Sequence, residues 1–370
     1  MNRDLDELLA GKTPGLRAAL LRVVLHVAAV FYKLGVSVRN GAYDRGWKTI
    51  QRAAIPVVSL GNLTTGGTGK TPFAAFVARW YRERGVRVCF VSRGYRARGS
   101  SDWRPSFPPF ARGGPGGAGS ETGSVMNDEA LVLDQLCPDV PHLQNPDRVA
   151  AARVAHEELD SQLIILDDGF QHRRLARDLD IVLIDATNPW GYGYLLPRGL
   201  LREPAASLKR ADLVVVTRVD QVPREDVDAI RGEVASNCPK CGIVEATFPP
   251  IRLIASSGAT RTIDSLSAFS VAAFCGIGNP AAFRSGLEKL GWIVADFRSF
   301  PDHHNFSRAD VEDLERWSRE LTVDAVVCTQ KDLVKIGLER LGDRPLWAVE
   351  IGTRLVAGGD LLEARLERLL

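Results

Sequence analysis

The chain has 370 residues, 45% hydrophobic and 25% charged, a composition that excludes a disordered, collagen-like or disulfide-scaffold protein. Forty-seven basic against 45 acidic residues leave a net charge of +2, which excludes nucleic-acid binding by bulk charge. Its length predicts two domains, and 34 glycines with 20 prolines predict many tight loops.

The near-neutral sum conceals an uneven distribution. Residues 11–55 carry eight basic side chains and one acid, Asp44, whereas the remainder of the chain is slightly acidic. The same segment holds the most apolar stretch, residues 23–32, between Arg22 and Lys33. An uncharged run this short falls below the ~20 residues needed to span a bilayer. Acids near the N-terminus and the lack of a small-residue cleavage site argue against a secretory signal. In a helix, Arg22, His26 and Lys33 align as a polar stripe beside Leu16, Leu20, Val23, Val27, Val30, Phe31 and Leu34. Two readings fit: a first helix packed on the main domain, or an amphipathic helix lying in a membrane interface.

Downstream, apolar β-like runs at 55–60, 87–92, 163–166, 180–184 and 213–217 alternate with helical patterns at 70–84, 128–136, 146–159 and 224–236. This alternation predicts an α/β fold with a mostly parallel sheet flanked by helices. The pattern pauses at a Ser/Thr-rich stretch near 248–268 and restarts, which predicts a second, smaller α/β lobe. The expected divisions are an N-terminal helix and connection (1–50), a core domain (51–250) and a C-terminal lobe (251–370). Residues 97–125 lack periodicity and read as a glycine-rich loop.

The strongest motif follows the first strand: Gly66-Gly67-Thr68-Gly69-Lys70-Thr71. Its glycines let successive N–H groups converge on phosphate oxygens, Lys70 can reach the β- and γ-phosphates, and the Thr71 hydroxyl can ligate magnesium. The helix that begins near Lys70 adds its positive end. Asp167 and Asp168 follow an apolar strand, where a nucleotide-binding enzyme needs a carboxylate for its metal ion. Gln171 and His172 place polar groups beside the same edge, whereas Arg173 and Arg174 read as solvated surface.

Taken together, 62–72, Ser92-Arg93-Gly94-Tyr95, Asp128-Glu129, Asp167-Asp168-Gly169-Phe170-Gln171-His172, 196–203 and 300–304 resemble the tetraacyldisaccharide 4′-kinases. The resemblance implies a P-loop kinase that uses ATP and Mg²⁺ to phosphorylate the 4′-hydroxyl of a lipid A disaccharide precursor. It places the enzyme at the cytoplasmic face of the bacterial inner membrane, on an anionic lipid surface, without nucleic acid or an obligate protein partner. It also implies that Asp128 is the catalytic aspartate, His303 its partner, and Arg202 the residue steadying the transferring phosphoryl group. Asp167 and Asp168 become the metal-organising acids, with Glu129, Glu203, Arg93, Tyr95, Gln171 and His172 around the cleft. Arg39, Asn40 and Tyr43 become candidates for touching the disaccharide. Asn127 and Ala130 depart from the glycine and proline common at these positions in the family.

Two competing classes share the glycine-rich core: a P-loop ATPase or GTPase switch, and a nucleotide-gated membrane scaffold without chemistry. A lysine usual in tight-dimer switches is replaced here by Thr65, and the scaffold would not require Asp128 or His303. The cysteines predict no disulfide framework. Cys238-Pro-Lys-Cys241 lacks the further ligands of a zinc site, and Cys89, Cys275 and Cys328 read as small hydrophobes.

Overall fold

The computed structural model describes residues 3–94, 128–266 and 269–370. Helix α1 (Arg3–Leu9) precedes the long α2 (Leu16–Asp44). Strand β1 (Val57–Asn62) leads through the glycine-rich loop into α3 (Lys70–Arg82) and β2 (Val88–Ser92). There follow α4 (Asp128–Leu136), β3 (His142–Gln144), α5 (Arg148–Glu157), β4 (Leu163–Asp167) and β5 (Leu179–Asp185). Next come β6 (Leu213–Thr217), α6 (Arg224–Asn237) and β7 (Gly242–Thr247). A second set comprises β8 (Pro250–Ile254), β9 (Thr260–Arg261), β10 (Ser270–Cys275), α7 (Pro280–Lys289) and β11 (Ile293–Ser299). It continues with α8 (Arg308–Glu320), β12 (Ala325–Thr329), α9 (Gln330–Ile336), β13 (Arg340–Leu341) and β14 (Arg344–Ile351). The described chain ends with β15 (Arg354–Ala357) and α10 (Gly359–Glu367).

Two compact units result. The larger comprises Glu7–Phe248 and Thr353–Leu370, and the smaller Pro249–Gly352 with the first residues up to Asp6. Larger-unit strands form one sheet in the order β15-β7-β6-β5-β1-β4-β2-β3, parallel except for β15. Every residue of β1, β2, β4 and β6 is buried, as expected of strands covered on both faces by helices. Strand β1 lies between β4 and β5, with Val57 opposite Ile164 and Val58 opposite Leu179. The chain order reverses at this point, which opens a crevice at the carboxyl ends of the strands. Gly61 lets the turn after β4 close on β1, because a Cβ there would meet the Phe170 Cβ at 2.4 Å.

The C-terminal residues 353–370 depart from their expected place in the smaller lobe. Strand β15 pairs antiparallel with β7, covering a sheet edge that would otherwise expose unpaired backbone groups. Helix α10 buries Leu362 and Leu366. The fully buried Tyr81 hydroxyl of α3 donates to the Leu366 carbonyl at 2.9 Å. Helix α2, expected as a separate element, also belongs to the larger unit.

In the smaller unit the strand order is β11-β10-β12-β14-β8-β9, with β13 paired to β14. The parallel trio β10, β12 and β14 carries apolar clusters on both faces, one around Phe274, Leu314 and Trp317, the other around Val271, Leu287 and Trp292. Helix α8 starts at a reciprocal capping box between Ser307 and Asp310. Cys238 and Cys241 differ from expectation by forming a disulfide at the end of α6, whereas Cys89, Cys137, Cys275 and Cys328 are free and buried.

If the return of the chain holds α10 in place, Tyr81→Phe removes one buried donor, and the Leu366 carbonyl keeps its backbone partner, the Leu369 N–H. The expected cost is about 1–2 kcal/mol in urea unfolding. Unchanged stability would show that this bond does not anchor the C-terminal segment.

Candidate active site

The phosphate-type loop is shaped by its neighbours. Asn62 at the end of β1 donates to the Thr68 hydroxyl at 3.3 Å. The Thr217 hydroxyl at the end of β6 donates to the Thr68 carbonyl at 3.0 Å, and Arg218 donates to the Gly67 carbonyl at 2.7 Å. Arg218 also pairs with Asp185. With these carbonyls held outward, the first N–H groups of α3, which have no helical acceptor, are available to an anion. Gly69 adopts a left-handed φ of 85°, and a Cβ there would lie 2.1 Å from the Phe248 ring. Only glycine fits this corner without displacing the ring.

Lys70 and Thr71 open α3, and both are buried. The Lys70 ammonium lies 3.6 Å from the Asp168 carboxylate. Arg202 donates to both oxygens of Asp168, at 2.9 and 2.8 Å. Burial pushes Asp168 upward, but Lys70 and Arg202 outweigh it and hold the carboxyl below its ordinary value. Asp168 occupies a left-handed conformation, φ 51°, which turns its side chain away from the strand direction followed by Asp167.

Asp167 has a different environment. It ends β4 in a buried position, and desolvation is opposed by Lys70 but reinforced by Glu129 and Asp168. The net result raises it to about 6. Two carboxylates of opposite tendency therefore stand at one strand end. Among the described residues no three His, Cys, Asp or Glu side chains converge as a self-sufficient metal cage. A buried carboxylate disfavoured as an anion, within the field of the P-loop lysine, fits a hard cation that takes its remaining ligands from phosphate and water.

Arg202 and Glu203 are fixed by a loop that binds the start of the phosphate loop. Arg202 N–H donates to the Leu63 carbonyl at 2.7 Å, and Thr65 N–H donates to the Leu200 carbonyl at 2.8 Å. Glu203 is completely buried and accepts from Arg39 at 2.6 Å, Asn40 at 2.9 Å and Arg210 at 2.9 Å. Arg39 and Asn40, on α2, are thus tied inward by Glu203. Tyr43 lies under the guanidinium of Arg173, 5.1 Å from its ring centre. Arg173 itself is buried, donating to the Asn40 carbonyl and Asp44, contrary to the surface position its sequence context predicts.

Gln171 donates to the Asn62 carbonyl at 2.9 Å. His172 Nδ1 accepts from buried Arg148 at 3.2 Å. Burial and the cations of Arg148, Arg177 and Arg174 depress His172 to about 4, so it is neutral at physiological pH. Buried Asn62 Oδ1, Gln171 Oε1, His172 Nε2 and Arg148 Nε lack protein partners, leaving polar capacity directed at the crevice region.

Asp128 begins α4 and is buried, accepting from the Glu129 N–H at 3.0 Å; Glu129 is half-buried. Arg93 follows β2 and is exposed. Tyr95, Asn127 and the 97–125 loop lie outside the described residues. In the smaller unit, His303 has a left-handed φ of 58°, donates its N–H to the Gly276 carbonyl, and holds its ring 4.0 Å from Asp302. His304 instead contacts Asp310 at 3.1 Å and stacks on Phe300, which separates the roles of the two adjacent histidines. Sequence reading overlooked Arg148 and Arg210, since isolated arginines at a helix start and in a loop carry no motif.

A glycine loop between a buried strand and a helix, with its lysine and an arginine on one carboxylate, defines a P-loop phosphotransferase. The family model described as tetraacyldisaccharide-1-P 4′-kinase matches residues 21–370. A tetraacyldisaccharide 4′-kinase from Anaeromyxobacter sp. strain K is 40% identical, over 96% of this chain and 93% of that protein. One from Syntrophus aciditrophicus strain SB is 35% identical, over 86% of each. A crystal structure of LpxK from Aquifex aeolicus in complex with ATP superimposes with a TM-score of 0.73 at 29% identity, covering 94% of this chain and 99% of that one. The chain belongs to the tetraacyldisaccharide 4′-kinase family and is a kinase of lipid A biosynthesis.

The raised Asp167 carboxyl gives a signed expectation. Between its ordinary value and about 6, the folded state binds the proton more tightly than the unfolded state, so stability falls as pH rises through that window. Asp167→Asn therefore stabilises the unliganded protein at pH 8 by up to about 3 kcal/mol, and the gain vanishes near pH 4. Urea melts of both forms across this range check it; an Asn variant less stable at pH 8 than the parent would contradict it.

Proposed function

We propose that the chain binds ATP on the glycine loop and transfers its γ-phosphoryl group in line to the 4′-hydroxyl of a tetraacyldisaccharide 1-phosphate. The observation carrying this reading is the Asp168 carboxylate held between Lys70 and Arg202 beside the loop. In the proposal, N–H groups of residues 66–71 and the Lys70 ammonium bind the phosphates. Arg202 steadies the equatorial oxygens as charge redistributes. Asp128 receives the proton of the sugar hydroxyl, and His303 orients that carboxylate or relays the proton. Thr71 with Asp167 and Asp168 would hold Mg²⁺, which neutralises charge on the β- and γ-phosphates when bound.

Membrane association belongs to the same proposal. Helix α2 runs 29 residues, about 43 Å at 1.5 Å per residue, so by length and composition it could cross a bilayer. Its inner side is instead committed to the larger unit through Ala18, Ala29 and Val36, and by the Tyr32 hydroxyl donating to the Arg202 carbonyl at 3.1 Å. Leu16, Leu20, Val23, Val27, Val30, Phe31 and Leu34 are all exposed, Phe31 by 70% and Leu16 by 87%. This pattern supports the interfacial reading over the core-packed one. Arg22, expected to face headgroups, turns to the Thr13 carbonyl, leaving exposed Lys12, Arg17 and Lys33 for anionic lipid. A cavity of about 420 Å³ lies against α2, lined by Ala29, Lys33, Trp190, Tyr194, Leu201 and Glu233. Its mostly apolar walls suit an acyl chain. A four-chain substrate stays in the bilayer, each buried CH₂ contributing about 0.8 kcal/mol, so the enzyme must work at its surface.

Asp128→Asn and His303→Ala should each lower kcat by about 10²–10⁴ while ATP affinity changes little. Normal turnover of labelled ATP and lipid disaccharide by Asp128→Asn would remove it from the chemistry; lost ATP affinity with normal kcat would do so for His303. For the helix, Phe31→Glu with Val27→Glu should weaken sedimentation with anionic vesicles about tenfold or more, with thermal stability retained. Equal vesicle binding by the double variant contradicts the interfacial role.

A further inference from the structure

The larger unit contains a second polar chain, apart from the phosphate loop. His142 on β3 approaches the Ser92 hydroxyl through Nε2 at 2.8 Å and the Asp134 carboxylate through Nδ1 at 3.1 Å. All three residues are buried, with His142 2% exposed. Each ring nitrogen of His142 thus has one fixed partner, Asp134 on one side and Ser92 on the other. The ring also meets Phe90 edge-on, 5.7 Å away, which fixes its plane.

Burying a carboxylate, an imidazole and a hydroxyl where three apolar side chains would pack is costly unless the bonds do something apolar contacts cannot. Hydrophobic contacts are non-directional, whereas this chain has one geometry. It also joins three elements that reach the crevice. Asp134 sits six residues after Asp128 on the same short helix, α4. Ser92 ends β2, and the preceding pair Val91–Leu166 aligns it with Asp167 at the end of β4. Arg93 follows Ser92 directly. The far end of α4 is separately tied by Arg79, which donates to the Leu136 carbonyl at 3.0 Å. Ala130, Val132 and Leu133 of α4 are buried, and apolar packing of this kind is non-directional.

We infer that Asp134, His142 and Ser92 are positioning residues for the kinase reaction: their hydrogen-bonded chain sets the rotation of α4, and hence the Asp128 carboxylate, against the strand end bearing Asp167. The same bonding order activates a serine nucleophile in hydrolases. Here the serine is buried at a strand terminus, and its hydroxyl serves as an anchor. The inference rests on the reading of Asp128 as proton acceptor.

The test uses the full-length protein with ATP and the lipid disaccharide in mixed micelles. Ser92→Ala and His142→Gln should each reduce kcat about tenfold or more, with KM for ATP within about twofold of the parent. The double variant should lose no more than the worse single one, because either change breaks the same chain. Ser92→Thr, which keeps the hydroxyl, should recover most of the loss. Thermal midpoints accompany each variant, and if His142→Gln does not fold, the Ser92→Ala and Ser92→Thr comparison decides. Unchanged kcat in Ser92→Ala, multiplying losses in the double variant, or no recovery by threonine overturns the inference. Asp128→Asn run alongside separates the two claims. If it stays active, the proton-acceptor reading fails; if it is inactive while Ser92→Ala is normal, only the positioning role fails.

Discussion

One carboxylate, Asp168, is shared between two cations from different parts of the chain, and the larger unit is organised around that contact. Lys70 arrives from the first turn of α3 and Arg202 from the loop before β6. Neither cation could sit buried or half-buried at this point alone, because desolvation without a counter-charge costs several kcal/mol. Asp168 can occupy the position because the chain turns through a left-handed conformation directly after β4. Strand, helix and loop are thus brought together by charge, and the phosphate loop lies between them.

The consequences extend outward through the neighbour of Arg202. Glu203 is buried with Arg39, Asn40 and Arg210 around it, so the residue next to the phosphate-side arginine is also the anchor of α2. The helix consequently has two unlike sides. Small residues and polar anchors face the protein, and a row of large apolar side chains faces away. An apolar row of this extent is expensive in water and useful at a lipid surface. The phosphate loop and α2 are thus linked through one dipeptide, Arg202-Glu203.

Much of this was legible in the sequence, and the reasons are physical. Continuous apolar runs mark β1, β4 and β6 because strands covered on both faces need no polar alternation. The glycine loop is legible because its backbone path permits little else. Helix α4 was visible by periodicity, but β3, three residues long, carries too few positions to show a pattern. Strand β15 and α10 were assigned to the wrong lobe because pairing with β7 is a contact made across the whole second unit in sequence. Arg148 and Arg210 carry no signal, and Arg173 reads as surface, because a buried arginine has the same one-letter context as a solvated one, and only the fold supplies its partner. The Ser92–His142–Asp134 chain is likewise invisible in one dimension, since it joins one helix and two strands.

In the proposed reaction, charge gathered at Asp168 serves phosphoryl transfer to a lipid-borne sugar. Transfer of labelled γ-phosphate from ATP, with and without tetraacyldisaccharide 1-phosphate in anionic vesicles, tests it most directly. The expected result is labelled lipid product formed by the parent protein, little phosphate release without lipid, and loss of product in Arg202→Ala. Phosphate release at the same rate with and without the lipid, and no labelled lipid, would contradict it.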